Sequence, residues 1–152
     1  MEIERKYIVA TVPDLTGVLS KEITQGYLAV DDTHEVRIRK KGPDYKLTVK
    51  VGTGLRRQEH ETALSEKQFN QLWPAVGGRT VNKVRYYLPN DICIDIYSGH
   101  LAGLVVAEIE FNTIEESSSF VPPDWFGPDV TLDIRFKNRA LASAVSIPLY
   151  LA

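Results

Sequence analysis

Residues 35–51 read EVRIRKKGPDYKLTVKV, and this stretch decides the fold. Apolar side chains alternate with polar ones on both sides of a Gly-Pro-Asp turn, as Val36 and Ile38 do before it and Leu47 and Val49 after it. A period of two is typical of a β-strand with two different faces, and Gly, Pro and Asp favour tight turns. The stretch therefore predicts a β-hairpin with one apolar face and one charged face.

The same alternation recurs along most of the chain. Gly, Pro, Asn and Asp separate the alternating segments, and many hairpins in succession predict a mostly antiparallel sheet. The predicted strands span residues 2–9, 24–30, 35–41, 45–51, 57–63, 80–88, 91–98 and 104–112, with a shorter ninth strand near 130–136.

Helical signals are few. Ser65 and Gln68 form a capping box before an apolar stripe that Pro74 ends, and Thr113 and Asn138 are expected to cap two further short helices. Three short helices cannot cover both faces of a large sheet. The predicted fold class is therefore mostly β (α+β), with a few short helices packed outside the sheet.

Length, charge and cysteine content narrow the functional classes. A chain of 152 residues is expected to form a single domain, residues 1–152, and a net charge of -2 argues against a nucleic-acid polymer as partner. Cys93 is the only cysteine, which excludes an intramolecular disulfide and fits a reducing compartment. The sequence has no signal-peptide core and no apolar run near the roughly 20 residues that cross a bilayer. We expect a cytoplasmic protein without membrane contact, and the oligomeric state stays open.

The polar side chains of the alternating strands are nearly all charged, whereas a solvent face usually mixes in Ser, Thr, Asn and Gln. If the sheet closes into a barrel with this face inward, the charges would line a wet interior and nearly balance. A sheet with a merely solvated charged face is the alternative. The carboxylates are Glu2, Glu4, Glu59, Glu61, Asp95, Glu108 and Glu110, and the cations are Lys6, Arg37, Arg39, Lys46, Lys50, Arg57, Lys83 and Arg85.

Like charges recur two residues apart along these strands. Such side chains lie roughly 6.5 to 7 Å apart on one face, and two negative charges at that distance repel by about 2.4 kcal/mol at an effective dielectric near 20. A hard divalent cation such as Mg²⁺ or Mn²⁺ would compensate the Glu-x-Glu pairs. A polyanion with phosphate groups would compensate the basic pairs, because guanidinium groups match phosphate oxygens.

These motifs, in their order, resemble the CYTH domain, or triphosphate tunnel metalloenzyme, family, and are most similar to its short bacterial inorganic triphosphatases. The resemblance implies an eight-stranded antiparallel closed β-barrel around a tunnel, dependence on Mg²⁺ or Mn²⁺, and a small triphosphate substrate. The chain departs from the family pattern at Asp129 and in residues 132–136. The matching motifs are Glu2-Ile3-Glu4-Arg5-Lys6, Gln25-Gly26-Tyr27-Leu28, Arg37-Ile38-Arg39, Leu47-Thr48-Val49-Lys50, Arg57-x-Glu59-x-Glu61, Lys83-x-Arg85-Tyr86, Asp95-x-Tyr97, Glu108-Ile109-Glu110-Phe111, and Pro123-Asp124-Trp125-Phe126-Gly127 leading to Val130-Thr131.

With this resemblance, the expected reaction is hydrolysis of inorganic tripolyphosphate to pyrophosphate and phosphate. Asp95 either joins the metal ligands or only orients an arginine, and Tyr27 is either catalytic or structural. The expected catalytic residues are Glu2, Glu4, Lys6 and Tyr27. The expected metal ligands are Glu2, Glu4, Glu59, Glu61, Asp95, Glu108 and Glu110. The expected phosphate-binding residues are Arg37, Arg39, Lys46, Lys50, Arg57, Lys83 and Arg85.

Three other functions would use a similar site for metal and phosphate. An adenylyl cyclase would convert ATP to cyclic AMP on the same metal and phosphate site, and a thiamine or nucleoside triphosphatase would differ only at the leaving group. A non-catalytic polyphosphate or nucleotide sensor would need the basic side chains but could lose the carboxylates. The presence of all six Glu positions favours catalysis.

Overall fold

Antiparallel strands dominate the computed structural model, which describes residues 3–52 and 58–150. The prediction of a mostly β fold with few helices is confirmed. The strands are β1 (Ile3–Val9), β2 (Ser20–Val30), β3 (His34–Lys41), β4 (Asp44–Val51), β5 (Gln58–Leu64), β6 (Thr80–Tyr87), β7 (Ile92–Tyr97), β8 (Val105–Phe111) and β9 (Phe126–Asp129). The helices are α1 (Glu66–Leu72), α2 (Ile114–Ser119) and α3 (Asn138–Leu141), with 3₁₀ turns at Trp73–Val76, Gly99–Leu101 and Ile134–Phe136.

All strands belong to one sheet, in the order β5-β4-β3-β2-β6-β7-β8-β1-β9. The expected closed eight-stranded barrel is not confirmed, because the sheet has nine strands and, among the described residues, no hydrogen-bonded pairing joins its end strands β5 and β9. β2 starts four residues before its predicted start because its first part pairs with β6, from Ser20 opposite Tyr86 onward.

The ninth strand lies earlier than predicted. Residues 126–129 pair with β1, whereas residues 130–136 form turns and a 3₁₀ segment, so the predicted strand near 130–136 is wrong. The alternation of residues 130–136 does not mark a strand, because Leu132 and Ile134 are 93% and 68% exposed and line no sheet face. β9 tolerates Pro128, which has no N–H group, because it is an edge strand.

The outer face of the sheet is covered in two places. Helix α1 and the 3₁₀ turn that follows it pack Phe69 and Trp73 over the β2–β4 region, in a cluster that includes the buried Ile38. The predicted capping box of α1 is confirmed, since Ser65 Oγ accepts from the Gln68 N–H at 3.1 Å and Gln68 Oε1 accepts from the Ser65 N–H at 2.8 Å.

A second outer cluster packs the connection between α2 and β9 against β1 and β8. Phe120 and Phe126 lie on Tyr7, with ring centroids 6.1 and 4.9 Å away. Thr113 caps α2 as predicted, accepting from the Glu116 N–H at 3.1 Å. Among the described residues, no helix is both long and apolar enough to span a membrane.

The inner face of the sheet carries apolar side chains at one end. Strand alternation puts Ile8 and Val106 on the same face as Lys6 and Glu108, and both apolar residues join one buried cluster. The C-terminal segment 136–142 adds further apolar side chains to this cluster, including Phe136 and Leu141. The C-terminal segment therefore packs inside the curled sheet.

Candidate active site

The inner face of the sheet encloses a cavity of about 340 Å³. Because β5 and β1 lie near opposite ends of the strand order and both line the cavity, the sheet curls until its two halves face each other. The lining side chains are Glu4 and Lys6 of β1, Tyr27 of β2, Glu35, Arg37 and Arg39 of β3, Lys50 of β4, Glu59 and Glu61 of β5, Lys83 and Arg85 of β6, Glu108 and Glu110 of β8, and Lys137, Asn138 and Arg139.

The strand register places two predicted metal ligands at directly opposite positions on neighbouring strands. Glu4 of β1 lies directly opposite Glu110 of β8, and Glu108 lies opposite Lys6. Directly opposed carboxylates on neighbouring strands have Cβ atoms about 4.5–5.5 Å apart and repel each other. A divalent cation with hard oxygen preference would turn this repulsion into attraction, so the donor chemistry fits Mg²⁺ or Mn²⁺.

The carboxylates do not yet converge on one point. Within residues 3–52 and 58–150, no group of three acidic, His or Cys side chains is arranged to hold an ion as it stands. Glu59 and Glu61 reach the cavity from the end strand β5, across from Glu4 and Glu110. Glu2, also predicted as a ligand, lies outside the described residues.

Basic side chains from β3 and β6 crowd into the same space. Burial and the neighbouring guanidinium groups of Arg37 and Arg85 lower the pKa of Arg39. The Nε of Arg37 is buried and has no hydrogen-bond partner among the described residues. Crowded cations with an unsatisfied donor fit a polyanionic ligand that supplies the missing acceptors and charge.

Asp95 lies behind Lys83 and Arg85 and is not among the residues that line the cavity. Its side chain is fully buried and accepts from Arg85 Nε and Nη2 at 2.8 and 2.9 Å, while Lys83 Nζ lies 2.8 Å from Oδ2. Burial alone would raise the pKa of Asp95, but these two cations hold it well below its usual range. The geometry matches the reading in which Asp95 orients an arginine.

A chain of ion pairs continues from Arg85 to the C-terminal segment. Arg85 Nη2 lies 3.4 Å from Glu108 Oε2, and Lys6 Nζ lies 3.4 Å from Glu108 Oε1. Lys6 Nζ also donates to the backbone oxygen of Phe136 at 2.8 Å. Since β8, β6 and β1 carry these groups, the cavity wall is held together by charges across three strands.

Tyr27 is almost fully buried, yet its side chain reaches the cavity. Burial raises its pKa, so the phenol stays protonated at neutral pH and can donate a hydrogen bond. Gln25 Nε2 donates to the Tyr27 oxygen at 3.3 Å. With its oxygen already accepting, Tyr27 can direct its own proton to a ligand.

One further predicted residue, Lys46, is not among the described lining residues. Lys46 lies at the half-exposed edge and pairs with Glu61 at 3.5 Å. Arg57 lies outside the described residues.

Sequence reasoning missed four residues of the lining. Glu35 shares the parity of Arg37 and Arg39 on β3, so the alternation rule could have found it. Residues 137–139 carry no periodic signal, and only tertiary packing brings Lys137 and Arg139 to the cavity.

Comparison with known proteins identifies the family of the chain. The CYTH domain family model matches residues 1–121. The inorganic triphosphatase of Nitrosomonas europaea is 46% identical, with 97% of this chain and 99% of the relative covered, and that of Acetivibrio thermocellus is 35% identical, with 92% of each covered. A crystal structure of an inorganic triphosphatase superposes with a TM-score of 0.76 at 42% identity, covering 97% of both chains. A putative adenylate cyclase from Bacillus halodurans, at 16% identity and a TM-score of 0.57, covers 82% of this chain and 94% of its own and shares the fold alone. The chain belongs to the CYTH domain family.

Proposed function

We propose that this chain hydrolyses inorganic triphosphate to pyrophosphate and phosphate with the help of Mg²⁺ or Mn²⁺. The observation that carries the proposal is the cavity itself, which brings carboxylates and cations together on the inner face of one curled sheet. Relatives at 46% and 35% identity named inorganic triphosphatase support it. The tunnel of this proposal is formed by the curl of the sheet, since no hydrogen-bonded pairing among the described residues joins its end strands.

The lining of the cavity favours an inorganic substrate. At about 340 Å³, it lies at the small end of ligand pockets, which usually measure about 300–1,000 Å³. Tyr27 is the only aromatic residue among the described lining residues. A nucleobase or thiazole ring usually stacks on aromatic side chains, so the described lining fits bare phosphate groups better than it fits an organic leaving group.

The cations bind and orient the phosphate chain. Arg37 and Arg39 face the cavity from β3, while Lys83 and Arg85 face it from β6. In phosphoryl transfer, catalysis comes almost entirely from positioning and from stabilising charge on the phosphoryl oxygens. Basic groups fixed on β3 and β6 supply both effects.

The metal would be held by the carboxylates of β1, β8 and β5. A bound divalent cation neutralises phosphate charge and lowers the pKa of a bound water. The residues proposed to hold it are Glu2, Glu4, Glu59, Glu61, Glu108 and Glu110, of which Glu2 lies outside the described residues.

The chemical step uses water as the nucleophile. The water oxygen attacks a terminal phosphorus, the bond from that phosphorus to the bridging oxygen breaks, and its electron pair leaves with pyrophosphate. We propose that Glu4 accepts the water proton. Tyr27, held by Gln25, donates to a phosphate oxygen, and Lys6 keeps the cavity wall in place through Glu108 and Phe136.

Phosphate release from tripolyphosphate tests the proposal. The wild type should turn over with Mg²⁺ or Mn²⁺ and stop with a chelator, and Glu4→Gln should lose at least about 100-fold in kcat/KM, a loss typical of removing one catalytic group. Glu22→Gln is the matched control, because Glu22 is exposed on the outer face of β2. Turnover that survives the chelator, or equal effects of the two variants, would contradict the metal mechanism.

A substrate panel separates the alternatives. Tripolyphosphate, pyrophosphate, ATP and thiamine triphosphate should be compared, with cyclic AMP assayed alongside phosphate. We expect the highest kcat/KM for tripolyphosphate. Cyclic AMP from ATP would identify a cyclase, preference for thiamine triphosphate or ATP would identify a different triphosphatase, and tight binding without turnover would identify a sensor.

A further inference from the structure

Asp95 combines features that a metal ligand would not have. It is fully buried and absent from the cavity lining, and both of its carboxylate oxygens already accept from cations at 2.8–2.9 Å. A divalent cation would have to displace Lys83 or Arg85 to reach these oxygens.

The contacts of Asp95 decide which donors of Arg85 face the cavity. Asp95 occupies the side edge of the guanidinium, which Nε and Nη2 form. The outer edge consists of Nη1 and the second Nη2 proton. Arg85 lines the cavity, and its Nη2 also donates to Glu108 Oε2 at 3.4 Å. An outer edge with two parallel N–H groups matches two oxygens of one phosphate.

Lys83 depends on the same carboxylate. Its side chain is 1% exposed, and a buried ammonium is costly unless it is paired. The ring of Tyr97 also lies against this cation, with its centroid 5.3 Å from Lys83 Nζ. Removing the negative charge of Asp95 would therefore disturb both cavity cations of β6 at once.

We propose that Asp95 is a positioning residue that fixes Lys83 and Arg85 as one phosphate-binding unit and takes no part in metal binding. The inference rests on the proposed triphosphatase function. One carboxylate sets the orientation of one cation and the charge balance of the other. Substrate then meets two preorganised cations and does not have to reorganise them.

The test uses Asp95→Asn, which keeps the shape and removes the charge. We expect kcat/KM for tripolyphosphate to fall by at least about 100-fold, as for loss of preorganised charge stabilisation. Mn²⁺ affinity, measured by titration calorimetry without substrate, should stay within about twofold of wild type. Asp32→Asn, at an exposed loop position, is the matched control for both measurements and should change neither.

A double-mutant cycle tests whether Asp95 acts through Arg85. Arg85→Lys keeps the charge but cannot form the two-pronged contact. If the proposal holds, Asp95→Asn lowers kcat/KM less in the Arg85→Lys background than in the wild type, and the loss that remains comes through Lys83. Fully additive losses, as general loosening of the fold would give, would overturn the positioning role.

If Asp95→Asn does not fold, Asp95→Asn combined with Lys83→Met removes both members of the buried pair, an exchange that is often tolerated. Retained Mn²⁺ affinity in this double variant supports the proposal, and lost affinity makes Asp95 a ligand and overturns it. A wild type inactive on tripolyphosphate would reject the proposed function itself, whereas an active wild type with an equally active Asp95→Asn would reject only the inference.

Discussion

Lys6 Nζ donates to the backbone carbonyl oxygen of Phe136 at 2.8 Å and so ties β1 to the C-terminal segment. Phe136 is fully buried in the apolar cluster at one end of the inner face. Because residues 137–139 follow directly and line the cavity, this tie holds a basic segment at one side of the site. The family model ends at residue 121, so the basic residues that this segment adds to the cavity lie outside the matched region.

Arg139 tests whether this segment binds substrate. Arg139→Met should raise KM for tripolyphosphate about tenfold, because a charge-assisted hydrogen bond is worth about 1.5–3 kcal/mol. Arg135→Met is the control, since Arg135 is exposed and pairs with Asp133 at 2.6 Å. Steady-state kinetics on both variants measure the effect. An unchanged KM in Arg139→Met would remove the segment from the binding surface.

A second tie to the same segment should contribute to stability. Tyr97 Oη donates to Asn138 Oδ1 at 2.8 Å, and Tyr97 is 3% exposed. Tyr97→Phe should lower the free energy of unfolding by about 1 kcal/mol and Tm by about 2–4 °C. Tyr86→Phe, half-buried on the opposite sheet face, is the control in a thermal melt. Equal melting of the two variants would mean that the Tyr97 hydroxyl contributes no net stability.

The sheet and most of the cavity could be predicted because alternation is a local signal. Charged residues at every second position of β3 and β6 fix which side chains share a face, and the structure places Arg37, Arg39, Lys83 and Arg85 on one cavity. Glu35 follows the same rule and was missed only because the charged series was begun two residues too late.

Other features depend on tertiary contacts that alternation does not record. The alternation of β7 puts Asp95 on the same sheet face as the cavity residues. Lys83 and Arg85 of the neighbouring strand β6 pair with the Asp95 carboxylate and cover it. Residues 130–136 alternate like a strand, yet Leu132 finds no apolar surface and is 93% exposed. The C-terminal segment lies where it does because it covers apolar side chains at one end of the inner face, among them Ile8 and Val106. Several strands form this apolar surface together, so the pattern of any one strand does not reveal it.

Gly26 is required where β2 passes the 3₁₀ turn after α1. A Cβ atom at this position would lie 2.5 Å from Val76 Cγ1 and 2.8 Å from Val76 Cβ, too close for either to remain in place. Gly26→Ala should therefore cost about 1–3 kcal/mol of stability, the usual cost of overpacking.

A double-mutant cycle with Val76→Ala isolates this contact. Val76→Ala removes both methyl groups, including the contact at 2.5 Å, and leaves the Cβ contact at 2.8 Å. Gly26→Ala should therefore still cost stability in that background, but less than in the wild type. Urea unfolding of the four proteins gives the coupling free energy. Additive costs would place the origin of the Gly26→Ala effect in the backbone and not in the contact with Val76.

The junction between β9 and β1 should respond to acid through Asp129. Burial alone would raise its pKa, but hydrogen bonds from Arg5, 2.7 Å away, and from Thr131 lower it below 3.8. A lowered folded-state pKa means that the carboxylate stabilises the fold above the unfolded-state pKa and that this contribution is lost as pH falls through the folded-state value. Asp129→Asn should thus cost about 0.5–1 kcal/mol at pH 7, the scale of a surface ion pair, and the difference from wild type in urea unfolding should shrink below about pH 3.8. Asp124→Asn is the control, because Asp124 is exposed in the preceding loop, and it should show no such pH dependence. If the difference between Asp129→Asn and wild type stays undiminished at low pH, the effect comes from side-chain shape and not from charge.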